Sequence, residues 1–192
     1  MKLLAVLLAV GALTVTGCGS SSDDKDASSA VGNPVDRAFV GDMIPHHRSA
    51  VQMATIAQQR ASSAFVRKLA DDIVRTQSEE IDLMRTEDRR LAAAGVGTGS
   101  LGVAEHMMGT DGDIASLKSA KPFDEAFIKM MLPHHEGAVV MAKAELAKGR
   151  DPKLKTLAQD IITAQQREIT AMRRHRGARG AMNDHMGAGH SD

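Results

Sequence analysis

The amino-acid sequence predicts an all-α protein, a four-helix bundle built from two copies of one helical hairpin. Residues 39–54, FVGDMIPHHRSAVQMA, return 88 positions later as FIKMMLPHHEGAVVMA. The repeat extends well beyond this motif, because an ungapped alignment of 34–84 with 122–172 holds 20 identities in 51 positions. Both copies carry helix-forming segments with capping signals at either end. A hairpin of this kind cannot bury its apolar face alone, so it pairs with its copy.

The boundaries of each element follow from those caps. Asn33-Pro34 sets an N-cap before a proline at the first helical position and opens a helix to about Gln59. Ser63-Ala64 and Asp151-Pro152 open the partner helices, which run to about Ala94 and Arg176, with Gly95 and Gly177 at the expected C-caps. The third helix opens at Pro122 and closes at Gly149. Links of about three residues make each pair an antiparallel hairpin, and a Gly-rich connection, 95–121, joins the pairs. The four-helix domain is thus 34–176, with repeat one at 34–94 and repeat two at 122–176. Pro45 and Pro133 fall inside their helices, where each removes a hydrogen bond, so a bend or break is expected before each His pair.

Outside the bundle, the first residues read as an export signal. Met1 and Lys2 lead into a short apolar run, Leu3 to Val15, too short to span a membrane at roughly 20 residues. Val15-Thr16-Gly17-Cys18 then has the look of a lipobox, giving a signal peptide at 1–17 and a lipid-bearing Cys18. Residues 19–33 are polar and Ser-rich and read as a tether. This places the domain outside the cytoplasm, anchored to a membrane. At the other end, 177–192 reads as a flexible tail containing Met182, His185, Met186 and His190.

Composition excludes several functions. The 192 residues hold 24 Lys and Arg against 24 Asp and Glu, so no basic surplus draws the chain to nucleic acid. There is no Trp or Tyr and there are only four Phe, which leaves no stacking platform for bases or sugars. Cys18 is the only cysteine, so the fold is held by packing, and any metal by His, Met and carboxylates. No P-loop, nucleophile elbow or dinucleotide fingerprint occurs, and the chain does not read as an enzyme.

The doubled histidines carry the chemistry. Met43, His46, Ala50 and Met53 share one face of the first helix, and Met131, His134, Ala138 and Met141 repeat that face in the third. His47 and His135 lie about 100 degrees round from their neighbours, so a pair need not serve one ion. Gln77, Glu80 and Met84 share a face of the second helix, matched by Gln165, Glu168 and Met172 on the fourth. A Met stripe alone is the ordinary content of a core. Two equivalent histidine pairs beside it point instead to a metal site.

Phe127-Ile128, Met131, Pro133-His134-His135-Glu136-Gly137-Ala138 and Met141-Ala142, with Phe123-Asp124 before and Gln165, Glu168, Ile169 and Met172 after, resemble the bacterial domain-of-unknown-function family 305. The resemblance covers about 34–175 and implies a ferritin-like fold, export and, for some members, periplasmic copper binding. It implies His46, His47, His134 and His135, with Met43, Met53, Met131 and Met141, as ligand positions. Two departures stand out. Arginines, among them Arg85, Arg90, Arg173 and Arg174, occupy the stretch after the second-helix Met where the family often has Trp, and Asp42 faces Met130 in the repeat, so the halves cannot bind identically.

Imidazole and thioether without thiolate favour Cu(I), while imidazole also suits Cu(II) and Zn. Further candidates are Glu80, Met84, Glu168 and Met172 in the bundle, His106, Met107 and Met108 in the connection, and His185 and Met186 in the tail. The residues alone leave two other readings open. One is a carboxylate–imidazole site for Fe, Mn or Zn with redox activity, although no Glu-x-x-His occurs. The other is a metal-free tethered interaction module. Open partners are a second copy of the chain, in a homodimer, or a copper donor or acceptor protein.

Overall fold

The computed structural model describes residues 31–110 and 112–187, with side chains as far as Ala178. Cys18 and the expected leader and tether before residue 31 lie outside the described residues, as does His190. The order is α1 (Pro34–Arg60), α2 (Ala64–Ala93), two short 3-10 turns (Glu105–Met107 and Ile114–Lys118), α3 (Phe123–Lys148) and α4 (Pro152–Gly187). The result is a four-helix bundle. α1 pairs with α2, α3 with α4, and the two hairpins join through α1 against α3. Among the described residues no helix is long and apolar enough to cross a membrane.

The caps work as the sequence implies. Asn33 accepts from the backbone N–H groups of Val35 and Asp36, and the Asp36 carboxylate accepts from Asn33 N–H in return. Ser63 caps α2 through Val66 N–H, and Asp151 caps α4 through Lys153 and Leu154 N–H. Pro122 is the N-cap of α3, so that helix begins one residue later than expected.

Each hairpin also closes the turn of the other. Asp36, at the start of α1, accepts from Arg150 and Asp151 N–H in the α3–α4 link, both at 2.9 Å. Its repeat partner Asp124, at the start of α3, accepts from Ser62 N–H, Ser62 Oγ–H and Ser63 N–H in the α1–α2 link at 2.8–3.0 Å. Both carboxylates are buried. Burial alone would raise the Asp124 carboxyl, but the Ser62 and Ser63 hydrogen bonds outweigh it and hold the group below the usual range. The carboxylates thus satisfy part-buried backbone N–H groups of both links.

The core lies where the four apolar faces meet. Phe39, Phe127, Met43, Met131, Ile73 and Leu154 are fully buried, and each contributes roughly 2 kcal/mol or more of transfer free energy. Thioethers fill the irregular space between the two central helices. The core also reaches beneath the connection through Leu101 and Leu117.

Two expectations need correction. The break before each His pair does not occur, since both α1 and α3 run unbroken through Pro45 and Pro133. Each proline, and the residue four before it (Gly41 and Lys129), is exposed, so water can serve the freed carbonyl and packing on the opposite face holds the helix together. Second, α4 does not stop at Arg176 but continues to Gly187, so 177–187 is helix rather than a flexible tail. A single Gly177 costs about 1 kcal/mol relative to Ala, too little to end a helix whose neighbours are Arg and Ala.

Candidate metal centre

The unbroken central helices carry the four imidazoles to the middle of the bundle, where all four are at most 2% exposed. Because α1 and α3 lie face to face, His46 and His134 meet with ring centroids 3.7 Å apart and planes tilted by 32°. His47 and His135 sit further from their chain neighbours, with centroids 6.1 and 6.4 Å away, and face the outer helices. There Glu80 on α2 bonds His47 Nε2 at 2.8 Å, and Glu168 on α4 bonds His135 Nε2 at 2.6 Å.

Hydrogen-bond partners assign every tautomer. A carbonyl can only accept, so His46 Nε2, 2.9 Å from the Met108 carbonyl, must carry a proton. Ser49 gives its single hydroxyl proton to the His46 carbonyl, so its oxygen accepts from His134 Nε2–H at 2.6 Å. The two carboxylates accept from His47 and His135. All four rings therefore bear a proton on Nε2, and the neutral His46 and His134 rings carry a lone pair on Nδ1. Each Nδ1 is buried and has no partner. An unpartnered buried acceptor costs about 1–3 kcal/mol, and four in one region is an arrangement that packing alone does not favour.

The electrostatics keep the central lone pairs free. Burial first, and the nearby His47 ring second, push His46 down to about 3. Burial and then the His46 ring push His134 down as well. Both rings are neutral at neutral pH, so a metal ion need not displace protons from them.

In the same core, Met43, Met53, Met131, Met141, Met84 and Met172 are all buried to 1% exposure or less. Among the described residues, no three His, Cys, Asp or Glu side chains form a ready metal-binding group, so a site here draws on thioethers or on some rearrangement. Glu80 and Glu168 each bond one imidazole at Nε2. His106 and Met107 sit exposed on the 3-10 turn, away from the core, whereas Met108 is half-buried and its carbonyl reaches His46. The side chains of Met182, His185 and Met186 lie outside the described residues.

Sequence reasoning did not single out three participants as candidates. Gln77 and Gln165 are buried at 2% and 3% exposure with unpartnered amide atoms, and their identity across the repeat, three residues before Glu80 and Glu168, was the available signal. Ser49 is the second, and its repeat partner is Gly137. The third, the Met108 carbonyl, is a backbone group without a side-chain signature.

The Ser49–Gly137 difference has a steric cause. A Cβ at Gly137 would overlap the Met108 carbonyl, because the connection presses directly on α3 there. Gly137→Ala is therefore expected to lower stability by about 1–3 kcal/mol and loosen residues 105–110. Gly41→Ala, in open helical space, should instead add about 0.5–1 kcal/mol. Urea unfolding of the two variants checks both signs.

Comparison with known proteins agrees with the four-helix fold. The family described as Domain of unknown function (DUF305) matches residues 14–88 and 36–176. CopM in its Cu(I)-bound form is 34% identical, with 74% of this chain and 96% of that chain covered at a TM-score of 0.62. CopM has also been solved in a Cu(II)-bound form. A DUF305 protein of Streptomyces coelicolor, described as secreted, is 28% identical over 76% of this chain and 94% of its own, at a TM-score of 0.64. A shorter match, 43% identical over 49 residues, is to Uncharacterized protein L153 of Acanthamoeba polyphaga mimivirus and takes in 26% of this chain. It spans only about a third, 32%, of that relative's length.

Proposed function

This chain belongs to the DUF305 family, and from that premise we propose that it is an extracytoplasmic copper-binding protein, held at a membrane by a lipid on Cys18, that buffers or delivers copper. The observation that carries this reading is the set of four buried imidazoles that bond through Nε2 and whose Nδ1 atoms have no partner. Neutral imidazole beside thioether is a donor set suited to Cu(I), and imidazole alone accepts Cu(II). His46, His47, His134 and His135 would hold the ion, with Met43, Met53, Met131 and Met141 as the soft donors. Glu80 and Glu168 would orient the rings that face them. The likeness to CopM, solved with copper in both oxidation states, supports the choice of metal.

The carboxylate–imidazole alternative for Fe, Mn or Zn draws on the same His47–Glu80 and His135–Glu168 pairs. It would need both carboxylates to leave their imidazoles and become ligands.

A Cu(I) titration against a competing chromogenic chelator separates these readings, using residues 19–192 and a variant with all four histidines changed to Ala. Tight binding that disappears in a variant of unchanged helicity is the expected result. Binding that survives would move the site to His106, Met107 and Met108 or to the C-terminal Met and His residues. No binding in either protein would overturn the copper reading.

A further inference from the structure

The two halves of the bundle differ most where solvent approaches the imidazoles. On the α1 side a cavity of about 340 Å³ opens between the helix and the connection, lined among others by Asp42, His46, Ser49, Glu105 and Met108. His46 is 2% exposed with an unpartnered Nδ1, yet it forms part of this wall. On the α3 side the connection seals the corresponding place. A Cβ at Gly137 would overlap the Met108 carbonyl, and one at Gly109 would overlap the Pro133 carbonyl and lie 2.9 Å from His134 Cα. The neighbouring cavity of about 500 Å³ touches His106, Met130 and Pro133 but neither His134 nor His135.

Charge follows the same division. Asp42 is half-buried and Glu105 exposed at the mouth on the α1 side, and neither forms an ion pair among the described residues. The repeat partner of Asp42 is Met130, which carries no charge. We propose that a metal cation reaches the buried imidazoles from the α1 side, drawn in by Asp42 and Glu105 and meeting His46 first. This rests on the copper reading above and adds a route and a direction to it. The connection is then a one-sided cover, tight against α3 and open towards α1.

Stopped-flow uptake of Ag⁺ and Cu²⁺ tests the route, comparing the full chain with an Asp42→Asn, Glu105→Gln variant and a Met130→Leu variant. Two carboxylates acting on a passing cation at about one Debye length, roughly 8 Å, predict association slowed about 2-fold for Ag⁺ and about 4-fold for Cu²⁺ at physiological ionic strength, and more at low salt. Doubling the ion's charge squares the factor, a signature that general loosening of the fold would not produce. Dissociation should slow with association, leaving Kd within about 2-fold, and Met130→Leu should match the parent protein. Equal rates in the carboxylate variant, or slowing confined to Met130→Leu, would overturn the route while leaving copper binding intact. A parent protein that takes up neither ion would overturn the copper reading itself, and the route with it.

Discussion

Changing Glu80 and Glu168 together to Gln will weaken copper binding by about 10²- to 10⁴-fold with little change in helix content. Each carboxylate is the sole bonded partner of one imidazole Nε2, at 2.8 and 2.6 Å. An orienting partner of this kind is typically worth about 10- to 100-fold in metal affinity. The carboxylate can only accept, so it keeps the ring proton on Nε2 and the lone pair on Nδ1. A Gln amide can turn its NH₂ towards the ring, which pulls the lone pair to Nε2 and places a proton on Nδ1 where the metal should sit. Both Glu side chains are nearly one-fifth exposed, so the exchange leaves the core packing intact. A competition titration of the double variant, with circular dichroism alongside, gives the answer. Affinity equal to that of the parent protein would remove these carboxylates from the metal centre.

The second large effect concerns stability rather than metal. Glu145 is fully buried at the end of α3, and neither carboxyl oxygen has a partner within hydrogen-bond geometry. Burial first, then the nearby Asp36 and Asp151 carboxylates, push it up to about 9. The folded chain keeps a proton that the unfolded chain releases near 4.5, so the contribution of Glu145 to stability falls as pH rises from about 4.5 to about 9 and is flat beyond either limit, while the neutral His46 and His134 contribute in the opposite sense below about 6.5. Between about pH 5 and pH 8 this one group should remove about 4 kcal/mol. Glu145→Gln will abolish that part of the slope and be the more stable protein at pH 8. Urea midpoints for both proteins at the two pH values measure it, and parallel pH dependences would disprove the assignment. In the first repeat the equivalent residue is Ala57, so the burden falls on one hairpin only.

Much of the architecture was legible because the informative residues are local. Asn33-Pro34, Ser63 and Asp151 each mark a helix start through a hydrogen bond that spans two or three residues, and such signals need no knowledge of the fold. The end of α4 is harder to read, because Gly177 has the look of a local stop. The repeat itself gives better guidance, since Ala93 at the end of α2 corresponds to Ala181, beyond Arg176. Proline also misleads, because its propensity cost arises only once per helix and the buried face outweighs it.

The candidate site was legible as a set of residues but not as chemistry. Spacing placed His46 and His134 on matching faces, and the structure brings their rings together. Which ring nitrogen faces which partner depends on groups 33 or more positions away, such as Glu80, Glu168 and the Met108 carbonyl. No helical periodicity encodes those contacts. The asymmetry between Ser49 and Gly137 was visible in the alignment, but its cause is the path of the connection, which only the folded chain displays.

The crossed bonds of Asp36 and Asp124 bear on how such a chain could arise. Each carboxylate serves the link of the opposite hairpin, so half of this sequence would leave its own link without acceptors. Two identical halves meeting about a twofold axis would supply them in trans. The chain therefore has the form of a fused symmetric pair, whose ancestor could have been a shorter gene product stable only when doubled. Fusion freed the two copies to diverge, and Asp42 opposite Met130, Ser49 opposite Gly137 and Ala57 opposite Glu145 are places where they did.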